Sequence, residues 1–382
     1  MGEPERRHQP LEITIKPYKM KKYFVIAAAA AVAMTACTKT TIVEAPQQEV
    51  SFQVANYAPG TKADKGVKYD TAVPFGTYAW FQGEADGTQN QEFMVNTKIA
   101  YANSVWKAAN ATYYWPKSGS IDFISYSPFN GTDGNAATVP AVTATSITYT
   151  DYVVDGTDIL YADKATGCTY SSTKDGAAVT DDAAANTTDS KFTGVPTLFR
   201  HALAQVNFQF VTADVNYKYA IKKVELLNVI KKGTLTLGLN DDKKTWNLPT
   251  TVNPVGWAPA DEPEYAVVEW TDPLAVESKT VPTKYATPKN LLVLPQTLTN
   301  VENGTTNQTI KITADITITT PQNKTVYEKD VELTGVLYNT SVSVWGMNKS
   351  ILYTITLSPG HEIYFDPAVV DWIPVESSAT AI

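Results

Sequence analysis

Residues 310–318 read Ile310-Lys311-Ile312-Thr313-Ala314-Asp315-Ile316-Thr317-Ile318. Every second side chain is apolar, and each one between is polar or charged. A two-residue period fits an extended chain, whose successive side chains point to opposite faces. A helix would scatter the same apolar residues around its circumference. The stretch therefore predicts a β-strand with one face in a core and the other in water. Ile and Thr also supply the branched side chains that such a pleated surface accommodates.

The same pattern recurs in both directions along the chain. Val50, Phe52 and Val54 alternate with Ser51 and Gln53, and Ala204, Val206, Phe208 and Phe210 alternate with Gln205, Asn207 and Gln209. Ile351, Tyr353, Ile355 and Leu357 form a further set. Turn-forming clusters lie between, as in Asn130-Gly131-Thr132-Asp133-Gly134-Asn135 and Asn303-Gly304. Past the N-terminal leader no stretch sustains a 3.6-residue period. Short strands separated by polar turns predict an all-β fold of antiparallel β-sandwiches.

A chain of 382 residues exceeds one typical domain, so two are expected. The alternating run that ends at Phe210 is followed by Val211-Thr212-Ala213-Asp214, and a new apolar pattern begins at Ile221. This places an N-terminal domain over 49–211 and a C-terminal domain over 212–382. Ser171 to Ser190, rich in Asp, Ala and Thr, reads as a surface loop of the first.

Lys21 and Lys22 precede an uncharged run from Tyr23 that ends in Met34-Thr35-Ala36-Cys37. A basic flank, a short apolar core and a small-residue end make a secretory signal over residues 20–36. The run is shorter than the roughly 20 residues that span a bilayer. Residues 1–19 read as an upstream extension and 38–48 as a polar tether. Met34-Thr35-Ala36-Cys37 resembles the bacterial lipobox, which implies cleavage between Ala36 and Cys37 and a lipid on Cys37. The outer membrane is the expected anchorage.

Residues 1–36 carry six basic and three acidic side chains; without them the chain has 25 Lys+Arg against 36 Asp+Glu, a net charge of −11. Such an acidic chain offers no footprint for nucleic acid. With Cys37 acylated, Cys168 stands alone and reads as a small side chain packed in a loop. No cysteine–histidine spacing fits a metal, and no Gly-rich phosphate loop is present. His201 reads as packed at a strand start and His361 as part of a turn. The acidic pairs Asp181-Asp182 and Asp241-Asp242 read as solvated turn residues. Neither cofactor, metal nor catalytic residue is expected, and the chain reads as a non-enzyme.

Several motifs in order carry a resemblance. They are Trp106, Tyr113-Tyr114-Trp115-Pro116, Phe123, Tyr126-Ser127-Pro128, Asp158-Ile159-Leu160-Tyr161-Ala162 and Phe199-Arg200-His201-Ala202-Leu203-Ala204-Gln205-Val206. Leu292-Val293-Leu294-Pro295-Gln296, Asn348-Lys349, Ile363-Tyr364-Phe365-Asp366-Pro367 and Asp371-Trp372 follow. Together they resemble the Bacteroidales fimbrillin family, the subunits of type V pili. The resemblance implies two transthyretin-like sandwiches in tandem, a lipoprotein precursor, and partners that are other fimbrial subunits. It also implies that a trypsin-like protease removes the first strand and that a donor strand fills the groove.

Glu49 to Tyr57 is the candidate for removal, followed by Pro59-Gly60-Thr61-Lys62-Ala63-Asp64-Lys65. Related chains often carry Thr-Arg-Ala here, where this one has Thr61-Lys62-Ala63. Lys62-Ala63 and Lys65 are thus either processing sites or uncleaved exposed lysines. Ile363 to Ile382 is the donor candidate, with the alternative that residues up to Trp372 form the last strand of the second domain. A different reading makes the chain a non-polymerising surface lipoprotein, or a tip adhesin, that binds a glycan or another host or bacterial surface ligand. Tyr113-Tyr114-Trp115 could then stack on sugars, although core packing in a sandwich is the more economical account of these rings. Asp70-Thr71-Ala72 resembles an O-glycosylation signal.

Overall fold

A computed structural model describes residues 48–56, 69–83, 90–129, 139–154, 156–174, 193–238, 257–259, 266–284, 291–301, 307–360 and 363–370. The signal, Ala36, Cys37, Lys62, Ala63, Lys65, His361, both acidic pairs and the segment after Val370 lie outside these residues. So does most of the loop expected over 171–190.

The described chain is almost entirely β. Strands β1 (Phe52–Asn56), β2 (Phe75–Gln82), β3 (Gln91–Ala102), β4 (Val105–Ala108) and β5 (Ser120–Ser127) come first. Then come β6 (Ala141–Thr143), β7 (Ser146–Val153), β8 (Leu160–Ala162), β9 (Ala165–Cys168), a helical turn α1 (Tyr170–Thr173) and β10 (Val195–His201). The second half begins with β11 (Ala204–Thr212), β12 (Tyr217–Leu227), β13 (Lys232–Gly238), β14 (Trp257–Pro259) and β15 (Ala266–Val276). It continues through β16 (Leu291–Val293), β17 (Gln296–Thr297), β18 (Thr309–Thr319) and β19 (Thr325–Val336). The last strands are β20 (Val344–Trp345), β21 (Ser350–Leu357) and β22 (Ile363–Val370).

The run at 310–318 forms most of β18, and Ile310, Ile312, Ala314 and Ile316 are all buried. Each fully buried isoleucine contributes about 1.5–3 kcal/mol relative to exposure. Strand β18 lies between β12 and β19 in the sheet β15-β12-β18-β19. The facing sheet is β16-β11-β21-β22, and residues from both fill one core. Within that core Trp345 donates its indole N–H to the Tyr353 hydroxyl at 2.9 Å. Burial pushes the Tyr353 phenol up to about 12.

On the outer face of β12, β18 and β19 the intervening residues pair by charge. Lys222 lies 2.6 Å from Asp315 and 2.8 Å from Asp330, while Glu225 takes Lys223 at 2.9 Å and Lys311 at 3.1 Å. This face meets water, as the alternation predicts.

The first half has a different closure. Its strands run β2-β3-β4-β1-β10-β8-β5, and β5 pairs back onto β2 from Gly76↔Tyr126 to Gln82↔Ser120. Seven strands thus make a ring, with β9 added on β5. Closing a sheet on itself removes its edges and hides their unpaired main-chain groups. Inside the ring pack Phe52, Phe75, Met94, Ile99, Trp106, Phe123, Val195 and Phe199.

Two expectations change. Not every pairing is antiparallel: β1 runs parallel to β10, and β11 runs parallel to β21. Partners this far apart in sequence have room for the crossover that a parallel pair requires. The run 204–210 does not join the strands before it. As β11 it pairs with β16 and β21, and Ala204, Val206, Phe208 and Phe210 fill the second core.

The halves are also joined by β7, which pairs with β13 in the sheet β14-β13-β7-β6. A third core lies there, built by Ile147, Tyr149 and Tyr152 from the first half and Leu235, Leu292 and Met347 from the second.

Candidate assembly site

Five residues make β1, too few to persist as strand without neighbours. Their register with β10 runs from Phe52↔Val195 to Asn56↔Phe199, and Phe52 also pairs with Trp106 of β4. Main-chain bonds hold the entry to the strand. Val50 N–H donates to Tyr113 C=O at 2.8 Å, and Trp115 N–H donates to Gln48 C=O at 2.9 Å. Across the other side Val195 N–H donates to Ser51 C=O at 2.7 Å. Residues 113–115 therefore run antiparallel beside residues 48–50, with Tyr114 opposite Glu49.

Side chains fix the depth of β1. Val50 and Phe52 are 2% and 3% exposed, and Ala55 is buried. The Phe52 ring meets Phe75 edge-on at 5.7 Å and Phe123 at 5.6 Å, an arrangement aromatic quadrupoles favour. Val54 packs against the same core, and the small Ala55 is buried beside it. Gly194 abuts the β1 backbone with φ +112, and a Cβ there would stand 2.8 Å from the Phe52 carbonyl carbon. Both its conformation and its contact demand glycine. At the rim Lys107 Nζ pairs with Glu49 Oε2 at 3.2 Å.

After Asn56 the chain is next described at Tyr69, whose ring stacks on Phe199 at 5.0 Å and contacts Phe75 and Trp106. Lys62, Ala63 and Lys65 fall between these two anchored points. Toward the C-terminus, Ile363–Val370 forms β22 along β21, from Ile363↔Leu357 to Val370↔Ser350. Pro367, unable to donate to a ladder, sits on this outermost strand of its sheet. The first part of the donor candidate is thus a strand of the second core.

The remaining motif residues build packing. Trp106 is buried, Tyr113 packs on Phe93 and Trp115 on Phe123. Only Tyr114 of that trio is exposed, at 42%. Arg200 and Asp163 form a buried ion pair. His201 ends β10 instead of starting a strand, and its Nδ1 lies 2.8 Å from Asp158 Oδ2. Its backbone N–H donates to Asn348 Oδ1 at 3.0 Å, so three motifs meet where the halves join. The sequence gives no sign of this acidic partner, because the contact depends on β8 lying antiparallel beside β10.

Cys168 lies on β9, not in a loop, and burial pushes its thiol well above the ordinary range. A thiol held protonated is a poor nucleophile. Among the described residues no group of three or more His, Cys, Asp or Glu is placed to hold a metal ion. No helix among them is long and apolar enough to cross a membrane.

A family model described as fimbrillin-like matches residues 61–372. The chain belongs to the fimbrillin-like family. This fimbrillin-like chain is a structural protein and not an enzyme. The match starts at Thr61, so β1 precedes it. Similar solved structures include a fimbrial protein from Bacteroides vulgatus, at 17% identity over 85% of this chain and 100% of that one, with a TM-score of 0.49. A protein assigned to cell adhesion from Bacteroides uniformis has 17% identity over 85% and 99%, with a TM-score of 0.40. The fimbrial anchor protein Mfa2 from Porphyromonas gingivalis has 13% identity over 86% and 98%, with a TM-score of 0.25. Among curated proteins none matches this chain.

Proposed function

We propose that this fimbrillin-like chain is a structural subunit of a cell-surface fimbrium that joins its neighbour by strand replacement at β1. The observation that carries the reading is the place of β1 in the ring. It is the member between β4 and β10, held by main-chain bonds and by buried Phe52 and Ala55, with Val50 buried just before it. Its loss leaves two unpaired strand edges above a floor of Phe75, Phe123 and Phe199. Such a slot calls for another strand, because bare edges and apolar rings are both costly in water. A contact of this kind is head-to-tail and does not close, which suits a fibre.

In this scheme the precursor is cut before Cys37, lipid on Cys37 holds it at the outer membrane, and a protease cuts after Lys62 or Lys65. The segment 371–382 beyond β22 is the donor. The two halves act as tandem transthyretin-like sandwiches, with the changeover between β10 and β11 rather than after Val211.

Sequencing the N-terminus of subunits recovered from fibres tests the scheme. A start at Ala63 or Gly66 supports it, and a start still at Cys37 rejects cleavage. Removal of 374–382 is expected to abolish SDS-resistant ladders while leaving the monomer folded. Cys37→Ser should end incorporation of labelled palmitate.

A further inference from the structure

The slot occupied by β1 is shaped for a definite pattern of side chains, and its present occupant fits one position badly. At the rim, Glu49 answers Lys107 at 3.2 Å. Two residues deeper are selective by shape: Val50 is buried in the ring core, and Phe52 sits between the edges of Phe75 and Phe123. Gln53 is the misfit. Its Oε1 is buried and has no hydrogen-bond partner among the described residues. An amide oxygen taken out of water without a partner costs free energy, and the cost disappears when an apolar residue replaces it.

We propose that the β1 slot selects an extended segment of a different subunit with the pattern acid–aliphatic–any–aromatic–apolar, which residues 371–382 of this chain do not carry, and that Lys107 is the residue that reads the acid. The last position explains how exchange can run forward. An incoming segment with an apolar residue where Gln53 stands binds better than the strand it displaces. The acid at the first position sets partner choice, since a basic residue there faces Lys107 directly. Tightness and choice are thus assigned to different positions of one site. This rests on the strand-replacement reading, and the test separates the two.

The experiment uses the full chain carrying a unique site for a sequence-specific protease in place of residues 61–65. After cleavage, a fluorescent peptide of residues 48–56 is bound and competed with unlabelled variants. The Glu49→Lys peptide should compete about threefold more weakly than the natural one, the range expected for a partly exposed ion pair. It should regain parity on a chain with Lys107→Glu. The Gln53→Val peptide should compete about tenfold more strongly, reflecting one buried polar atom relieved. Equal competition by all three peptides overturns the selectivity while the slot still stands. Failure of the natural peptide to bind overturns both readings. Lys107→Gln, which removes charge without repulsion, should make the natural and Glu49→Lys peptides equivalent. A Lys107→Gln chain that still prefers the acid would remove Lys107 from the role.

Discussion

The guanidinium of Arg200 holds Asp163 with Nε 3.2 Å from each carboxylate oxygen and Nη2 3.2 Å from Oδ2. The arginine side chain is 1% exposed. Removing one member of a buried pair strands the other charge, which costs about 3–5 kcal/mol. Asp163→Ala should therefore lower the denaturant midpoint steeply. Arg200→Met with Asp163→Leu should restore most of the loss, because packed apolar groups replace a buried pair at little net cost. Equilibrium unfolding of the three chains measures this.

Arg200 is also the sole arginine after residue 36. An arginine-specific protease should leave the folded chain uncut at this position and cut it once after denaturation. Cleavage of the folded chain at Arg200 would mean that β10 opens, and with it the ring. Mass spectrometry of the digests separates the outcomes.

Acid stability draws on carboxylates of two kinds. Hydrogen bonding by Lys222 holds Asp315 below its ordinary value, and Lys223 does the same for Glu225. Their contribution is complete above the unfolded carboxylate values and is lost as pH falls through the lowered folded ones. Asp163 has the opposite sign. Burial raises it more than Arg200 lowers it, so its contribution is lost as pH rises through the folded value. Stability should fall below about pH 4, near the unperturbed carboxylate range. Asp315→Asn should flatten that acid limb, and Asp163→Asn should steepen it. Thermal melts from pH 2 to 6 give the slopes.

Phe52 tests the difference between precursor and assembled subunit. Truncating a buried phenylalanine to alanine costs about 3–5 kcal/mol. In Phe52→Ala the loss should appear first as faster amide exchange over residues 50–56, before the rest of the ring opens. If another strand takes the slot on assembly, fibres built from this variant should be as SDS-resistant as the parent's. Equal weakening of monomer and fibre would show that β1 stays in place.

Much of this was legible in the sequence, and the limits have a physical origin. Alternation is local, so Ile310 to Ile318 and Ile351 to Leu357 were assigned to strands with their buried faces correct. Partner choice is not local. Nothing in 204–210 distinguishes a strand closing the first half from one pairing with β21 about 145 residues later, since both need the same apolar face. The ring depends on β5 meeting β2, and the His201–Asp158 contact depends on β8 lying beside β10. Neither leaves a periodic trace. The family motifs marked these places without explaining them: Arg200 pairs with Asp163, and His201 meets Asp158 and Asn348.

Gly194 is the residue through which the site can be loosened without touching β1. Its φ of +112 lies where an L side chain is strained, and an added Cβ would meet the Phe52 backbone at 2.8 Å. That neighbour is main chain in a paired strand, so it cannot swing aside as a long side chain would. Strain of this kind costs about 1–3 kcal/mol, and the contact adds to it. Relief requires β1 to shift against β10, along which only five residues are paired. Gly194→Ala should thus leave the main thermal transition nearly in place and raise amide exchange over 52–56. It should also speed cleavage in the 57–68 segment by added trypsin. A lowered main transition with unchanged exchange in β1 would instead place Gly194 in the folding of the whole ring.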